Sequence, residues 1–110
     1  MPLKIIWSEF AETKLDEIYE YYEKKTSPRI AKKLLKGIIN ESKKLIKAPQ
    51  IGQEEELLKH RETEYRYLVF KNYKLIYSVD NQNGFIKIAD VFDTRQNPIK
   101  IEREKQSQNQ

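Results

Sequence analysis

A short list of side chains in this sequence has the chemistry to hold a phosphate or move a proton. Arg66, Lys74 and Arg95 are cations on or beside β-rich segments, and strand alternation can bring cations from neighbouring strands onto one face, where they would meet nucleic acid or an acidic protein. The competing reading is an ordinary solvated face. Tyr73 and Tyr77 fall four apart in one segment and so share a face, ready either to stack on a base or to lie half-buried beneath a helical layer. His60, the sole histidine, sits between Lys59 and Arg61 and could serve as a general base, or be plain loop surface. Asp93 precedes Arg95 by two residues; it would either orient that guanidinium for phosphate or form a surface ion bridge worth under about 1 kcal/mol. The run Glu54, Glu55, Glu56 reads as solvated loop and is assigned no function.

Other chemistries are missing. No Gly-rich phosphate loop, no His/Cys metal spacing and no nucleophile elbow occurs, so neither a cofactor nor a metal is expected. Cysteine is absent, which removes disulfides and thiolate ligands and leaves stability to packing. The formal charge is +4 with a pI near 9.2, a weak pull toward phosphate or an acidic partner. No run approaches the roughly 18 apolar residues of a membrane span, and Met1 to Trp7 is too short for a signal peptide. A cytoplasmic protein with no membrane association is therefore expected.

The elements that must position these residues are legible from periodicity. The chain has 110 residues, near the commonest domain size, with 38% hydrophobic and 35% charged residues, which is enough apolar material for one core under a charge-dense surface. Leu3 to Trp7 reads as a short strand, and Ser8 offers a cap for a helix from about Glu9 to Lys25 whose Ala11, Leu15, Ile18 and Tyr22 share one face. Ser27 and Pro28 are suited to the N-cap and first turn of a second helix reaching about Lys47, with a broad stripe of Ala31, Leu34, Leu35, Ile38, Ile39, Leu45 and Ile46. Gly37 inside that helix suggests either a close approach or simple tolerance.

Ala48 to Glu64 reads as a long surface connection that Leu57 and Leu58 would pin down. Tyr65 to Phe70, Tyr73 to Asp80 and Phe85 to Phe92 then form an antiparallel meander, with Lys71-Asn72 as a tight turn. In the last strand Phe85, Lys87, Ala89 and Val91 should face one way, and Ile86, Ile88, Asp90 and Phe92 the other. The economical architecture is α+β, βααβββ, in two layers: a helix hairpin packed on a small antiparallel sheet, with the first strand at an edge. Residues 1–98 should form this domain, and 99–110 a polar tail that frays.

This order of elements resembles the RelE/ParE superfamily of toxins from type II toxin–antitoxin systems. The specific part is the segment Tyr65 to Asp80, which is similar to that family's arginine strand, turn and "Y-[RK]-hydrophobic-hydrophobic-Y" pattern. Val91-Phe92-Asp93-Thr94-Arg95 resembles its last strand and basic exit, and Lys47-Ala48-Pro49-Gln50-Ile51-Gly52 its Pro-x-x-Gly helix exit. The resemblance implies a cognate antitoxin and one of two activities: a ParE-like toxin that binds and inhibits DNA gyrase, or a RelE-like endonuclease that cuts mRNA on the ribosome. Under the nuclease reading Lys74 and Arg95 would hold phosphate, and His60 or Tyr77 would move protons. Under the gyrase reading Arg66, Lys74, Tyr73, Asp93 and Arg95 would form the target-binding surface. Tyr65 and Tyr67 stand where lysines might be sought, and neither tyrosine nor histidine follows Arg95, so the acid–base set is incomplete and the binding toxin is favoured. A protein-binding module with neither activity is the third reading.

Overall fold

A computed structural model describes residues 3–95. Its elements run β1 (Lys4–Trp7), α1 (Glu9–Lys25), α2 (Pro28–Lys47), β2 (Gln53–Glu54), a 3-10 turn (Glu56–Leu58), β3 (Arg66–Phe70), β4 (Tyr73–Asp80) and β5 (Phe85–Asp93). Residues 96–98 of the expected domain, and the expected tail beyond them, lie outside the described residues.

Both helices start where the side chains can satisfy their free amides. The Ser8 hydroxyl accepts from Ala11 N at 3.0 Å and donates to Ala89 O at 3.1 Å, so it caps α1 and ties it to β5 in one group. The Ser27 hydroxyl accepts from Ile30 N at 3.2 Å, and Pro28 opens α2. Most of the expected stripes face the sheet: Ala11 from α1 and Leu34, Ile38 and Leu45 from α2 join Leu68, Leu75, Ile86 and Ile88 in the main core, with Leu15, Ile18 and Tyr22 packed against it, whereas Ile39 and Ile46 at the margin of the α2 stripe stay 37% and 40% exposed. Gly37 is a close approach: a Cβ there would collide with the ring of Phe70.

The two-layer α+β architecture is as read from the sequence, but the sheet is larger and mixed. Its order is β1-β5-β4-β3-β2. The β3–β4–β5 meander is antiparallel, joined at Phe70 and Tyr73 by the two-residue turn, in which Lys71 takes φ 54°. β1 lies at the edge as expected but runs parallel to β5, with Lys4 opposite Phe85 and Trp7 opposite Ile88. A fifth strand, β2, pairs with β3 inside the stretch expected to be plain connection.

The face assignment of β5 needs correcting. A bulge lies opposite Ile76 and Tyr77, where the register steps from Asp90 to Ile88 and leaves Ala89 over. The extra residue switches the alternation. Ile86, Ile88 and Val91 therefore share the main core beneath the helices, while Phe92 turns to the opposite face. There it forms a second, small cluster with Ile76 and Leu58, flanked by Leu57, Tyr65 and Tyr67. Leu57 and Leu58 do pin the long connection, which lies as a strap across the outer face of the sheet.

Candidate functional site

β4 distributes its side chains by alternation. Tyr73, Leu75 and Tyr77 point into the main core, and Ile76 belongs to the outer cluster, so Lys74 projects on the outer face with it. Lys74 Nζ lies 3.1 Å from Glu55 Oε2 and 4.2 Å from the centroid of the Tyr67 ring. Glu55 is only 2% exposed, set beside the 3-10 turn, where its Oε1 also accepts from Leu57 N at 3.4 Å. The strap thus brings a buried carboxylate onto the lysine, where water and salt screen their attraction less than in an exposed pair and where the lysine offsets the cost of burying the charge. The sequence reading set Glu55 in a solvated acidic run without function, which holds for the exposed Glu54 and Glu56 but not for Glu55; the signal available was the Leu57-Leu58 pair next to it, which anchors this part of the strap on the sheet.

Arg66 faces the helix side of β3, opposite Tyr77. Its Nη1 donates to Gly52 O at 2.9 Å and its Nη2 lies 2.8 Å from Glu64 Oε1. Tyr77 is fully buried; its hydroxyl donates to Pro49 O at 2.8 Å and accepts from Gly52 N at 2.9 Å. Burial raises its pKa, against the pull of the Gly52 N–H and Arg66. This hydroxyl fastens the exit of α2 to the sheet. A Cβ on Gly52 would strike it, which is why the exit needs glycine.

At the end of β5, Asp93 gathers the chain's exit around itself. Its Oδ1 accepts from Asn72 Nδ2 at 3.2 Å, from Arg95 N at 2.9 Å and from Arg95 Nε at 3.0 Å, and its Oδ2 accepts from Arg95 Nη2 at 2.7 Å. The Arg95 hydrogen bonds dominate and hold the Asp93 carboxyl at about 2. Arg95 is raised in turn by Asp93, and its side chain stays 60% exposed. Beside this pair is a cleft of about 320 Å³ bordered by Lys14, Ile18, Tyr21 and Tyr73. Tyr73 itself is buried, its pKa raised first by that burial and then by the neighbouring Tyr22.

The structure therefore does not assemble the expected cations into one patch. Arg66, Lys74 and Arg95 each carry their own carboxylate, Glu64, Glu55 and Asp93, with Arg66 and Lys74 on opposite faces of the sheet. Tyr73 and Tyr77 share a face as expected, and that face is under the helices. His60 is exposed in the turns after the 3-10 element. Sequence reasoning also missed the buried Asp90, whose Oδ1 lies 3.7 Å from Lys14 Nζ of α1; an acid inside an apolar strand was the cue.

A helix hairpin laid on a meander, closed at one edge by a parallel N-terminal strand and ending in an arginine exit, is the architecture of the small RelE/ParE superfamily toxins. The pattern of the family described as "ParE toxin of type II toxin-antitoxin system, parDE" matches residues 5–98, and the chain belongs to that family. It is a toxin of a type II toxin–antitoxin system. Among solved structures, a chain described as "Chromosomal ParDE TA system from P. aeruginosa" has the same fold, with TM-score 0.68 and 20% identity over 83% of this chain and 95% of that one. No curated protein matches. Among the described residues no helix is long and apolar enough to cross a membrane.

Proposed function

We propose that this toxin acts in the cytoplasm by binding DNA gyrase and blocking supercoiling, that it inhibits growth in that way, and that a cognate antitoxin neutralises it with a tail that folds across its surface. The observation that supports binding over RNA cleavage is the separation of Lys74 from Tyr77. The lysine is on the outer face, held by Glu55, and the tyrosine hydroxyl is buried on the helix side between Pro49 and Gly52. Cleavage at a phosphate needs a base, an acid and a cation within hydrogen-bond reach of one group of atoms. Residues three apart on one strand point to opposite faces and do not meet there. A toxin that acts by occupying a surface needs no such convergence. Target contact then falls to what is displayed, foremost the Arg95 guanidinium that Asp93 holds in place, with Lys74 and Arg66 as paired cations to either side of the sheet.

The test measures gyrase supercoiling with the purified chain, and mRNA integrity in cells after regulated expression. Inhibited supercoiling with intact mRNA is the expected result. Codon-associated mRNA cuts with normal supercoiling would establish the ribosome-dependent endonuclease instead, and unimpaired growth with uninhibited gyrase a non-toxic binding module.

A further inference from the structure

The outward face of α2 carries one sign of charge. At about 100° per residue, Arg29 and the six lysines of this helix fall within an arc of about 120°, opposite the buried Ala31, Leu34, Ile38 and Leu45. All of these cations are exposed, and the only other residue on that arc is Asn40. Among the described residues, Lys44 alone of them has a carboxylate, Glu41, whose Oε1 lies 3.0 Å from its Nζ. From Arg29 to Lys47 the stripe is about 27 Å long. The arrangement works against the helix that bears it. Lys32 and Lys36, like Lys43 and Lys47, stand four apart and repel. Arg29, Lys32 and Lys33 crowd the positive end of the helix dipole with no acidic residue in the first turn, whereas α1 opens with Glu9 and Glu12. A solvated face needs only mixed charge. A face of one sign, set against local preference, fits a polyanion.

We propose that this stripe seats the phosphate backbone of duplex DNA, without regard to its sequence. The choice of DNA among duplexes rests on the reading of this toxin as a gyrase inhibitor, since gyrase works on duplex DNA. The rest of the choice is made by the side chains. A protein partner needs an apolar or aromatic anchor at the centre of its interface, where lysine is depleted, and the arc holds no such anchor. A single strand needs rings on which its bases stack, and α2 has no aromatic residue. A membrane surface is gripped by a helix that sinks apolar side chains among the headgroups, and the main apolar face of α2 is spent on the sheet. Lysines supply compact charges for phosphate and no fixed fork for base edges. The length of the stripe spans about eight base pairs of a duplex. The stripe then holds the toxin on the DNA that its target is handling, while the acidic α1 is repelled from it.

The experiment measures binding of the full chain to a twenty-base-pair DNA duplex by fluorescence anisotropy over a series of salt concentrations. The parent is compared with a stripe variant, Lys32→Gln, Lys36→Gln, Lys43→Gln, and with a control that makes the same charge change elsewhere, Lys24→Gln, Lys25→Gln, Lys59→Gln. Duplexes of unrelated sequence should bind alike. The slope of log affinity against log salt should fall by about 3 in the stripe variant, with an affinity loss of at least about tenfold, and stay within about 1 of the parent in the control. The stripe variant's urea midpoint, equal to or above the parent's because the change removes repulsion alone, separates lost binding from lost folding. Equal losses in the two variants assign binding to net charge and overturn the proposal. So does a parent that binds an RNA duplex, phosphatidylserine vesicles or polyglutamate more tightly than the DNA. Supercoiling assays on the same proteins keep the two readings apart. Stripe-dependent DNA binding by a chain that leaves gyrase uninhibited upholds the stripe and removes the gyrase reading; inhibition by a chain that binds no duplex removes the stripe and leaves the gyrase reading intact.

Discussion

The Tyr77 hydroxyl spends its donor on Pro49 O and its acceptor on Gly52 N, both in a segment with no sheet partner of its own at those atoms. Replacing it by Tyr77→Phe leaves two buried backbone groups unpaired, so the expected loss is about 1–3 kcal/mol, read from urea unfolding. Unchanged stability with altered toxicity would instead assign that hydroxyl to chemistry. Asp93 makes a pH-dependent prediction. Its carboxyl sits at about 2 in the folded chain and near 3.9 in an unfolded one, so the stability it contributes is complete above about pH 4 and is lost as pH falls toward 2. The pair is largely solvated, which limits that contribution to about 1 kcal/mol. Asp93→Asn should therefore unfold more easily than the parent at pH 7 and equally at pH 2. At this scale the sequence revealed which residues could act and that Tyr73 and Tyr77 share a face. It did not reveal their partners, because Lys74 meets a carboxylate nineteen positions away, and nothing local marks that contact.

At the scale of elements, the caps at Ser8 and Ser27, both helical stripes and the three-stranded meander were legible, since each depends on residues close in sequence. What was not legible depends on pairing. The parallel run of β1, the two-residue β2 and the bulge at Ala89 are set by partners elsewhere in the chain, and a bulge hides in the alternation because either side of it looks regular. The packing of α2 on β3 turns on Gly37 and Phe70. Alanine in mid-helix gains about 1 kcal/mol over glycine, yet here its methyl meets the Phe70 ring, and overpacking costs about 1–3 kcal/mol. Gly37→Ala should thus be destabilising in the parent and stabilising once Phe70→Leu has shortened that side chain. A double-mutant cycle in urea measures the reversal; equal effects in both backgrounds would show that the ring moves aside freely.

Over the whole molecule the two helices divide the charge. α1 bears Glu9, Glu12, Asp16, Glu17, Glu20 and Glu23 against three lysines, while α2 is strongly basic, so the modest net charge conceals two opposed surfaces. Composition gave the sum, and only the fold shows that, among the described residues, the cations without a close carboxylate concentrate on α2 and not on the strands where binding chemistry was sought. The sheet order has a further outcome, in time. β5 is made after every other strand, yet it belongs between β1 and β4. Until it arrives, β1 has no neighbour and the main core lacks Ile86, Ile88 and Val91. A fragment of residues 3–80 should accordingly show no cooperative unfolding and no protected sheet amides, whereas residues 3–95 should show both. During synthesis, then, the ribosome holds a chain that cannot yet present a finished surface to any target. A translation product cut short before β5 therefore lacks the strand that joins β1 to β4.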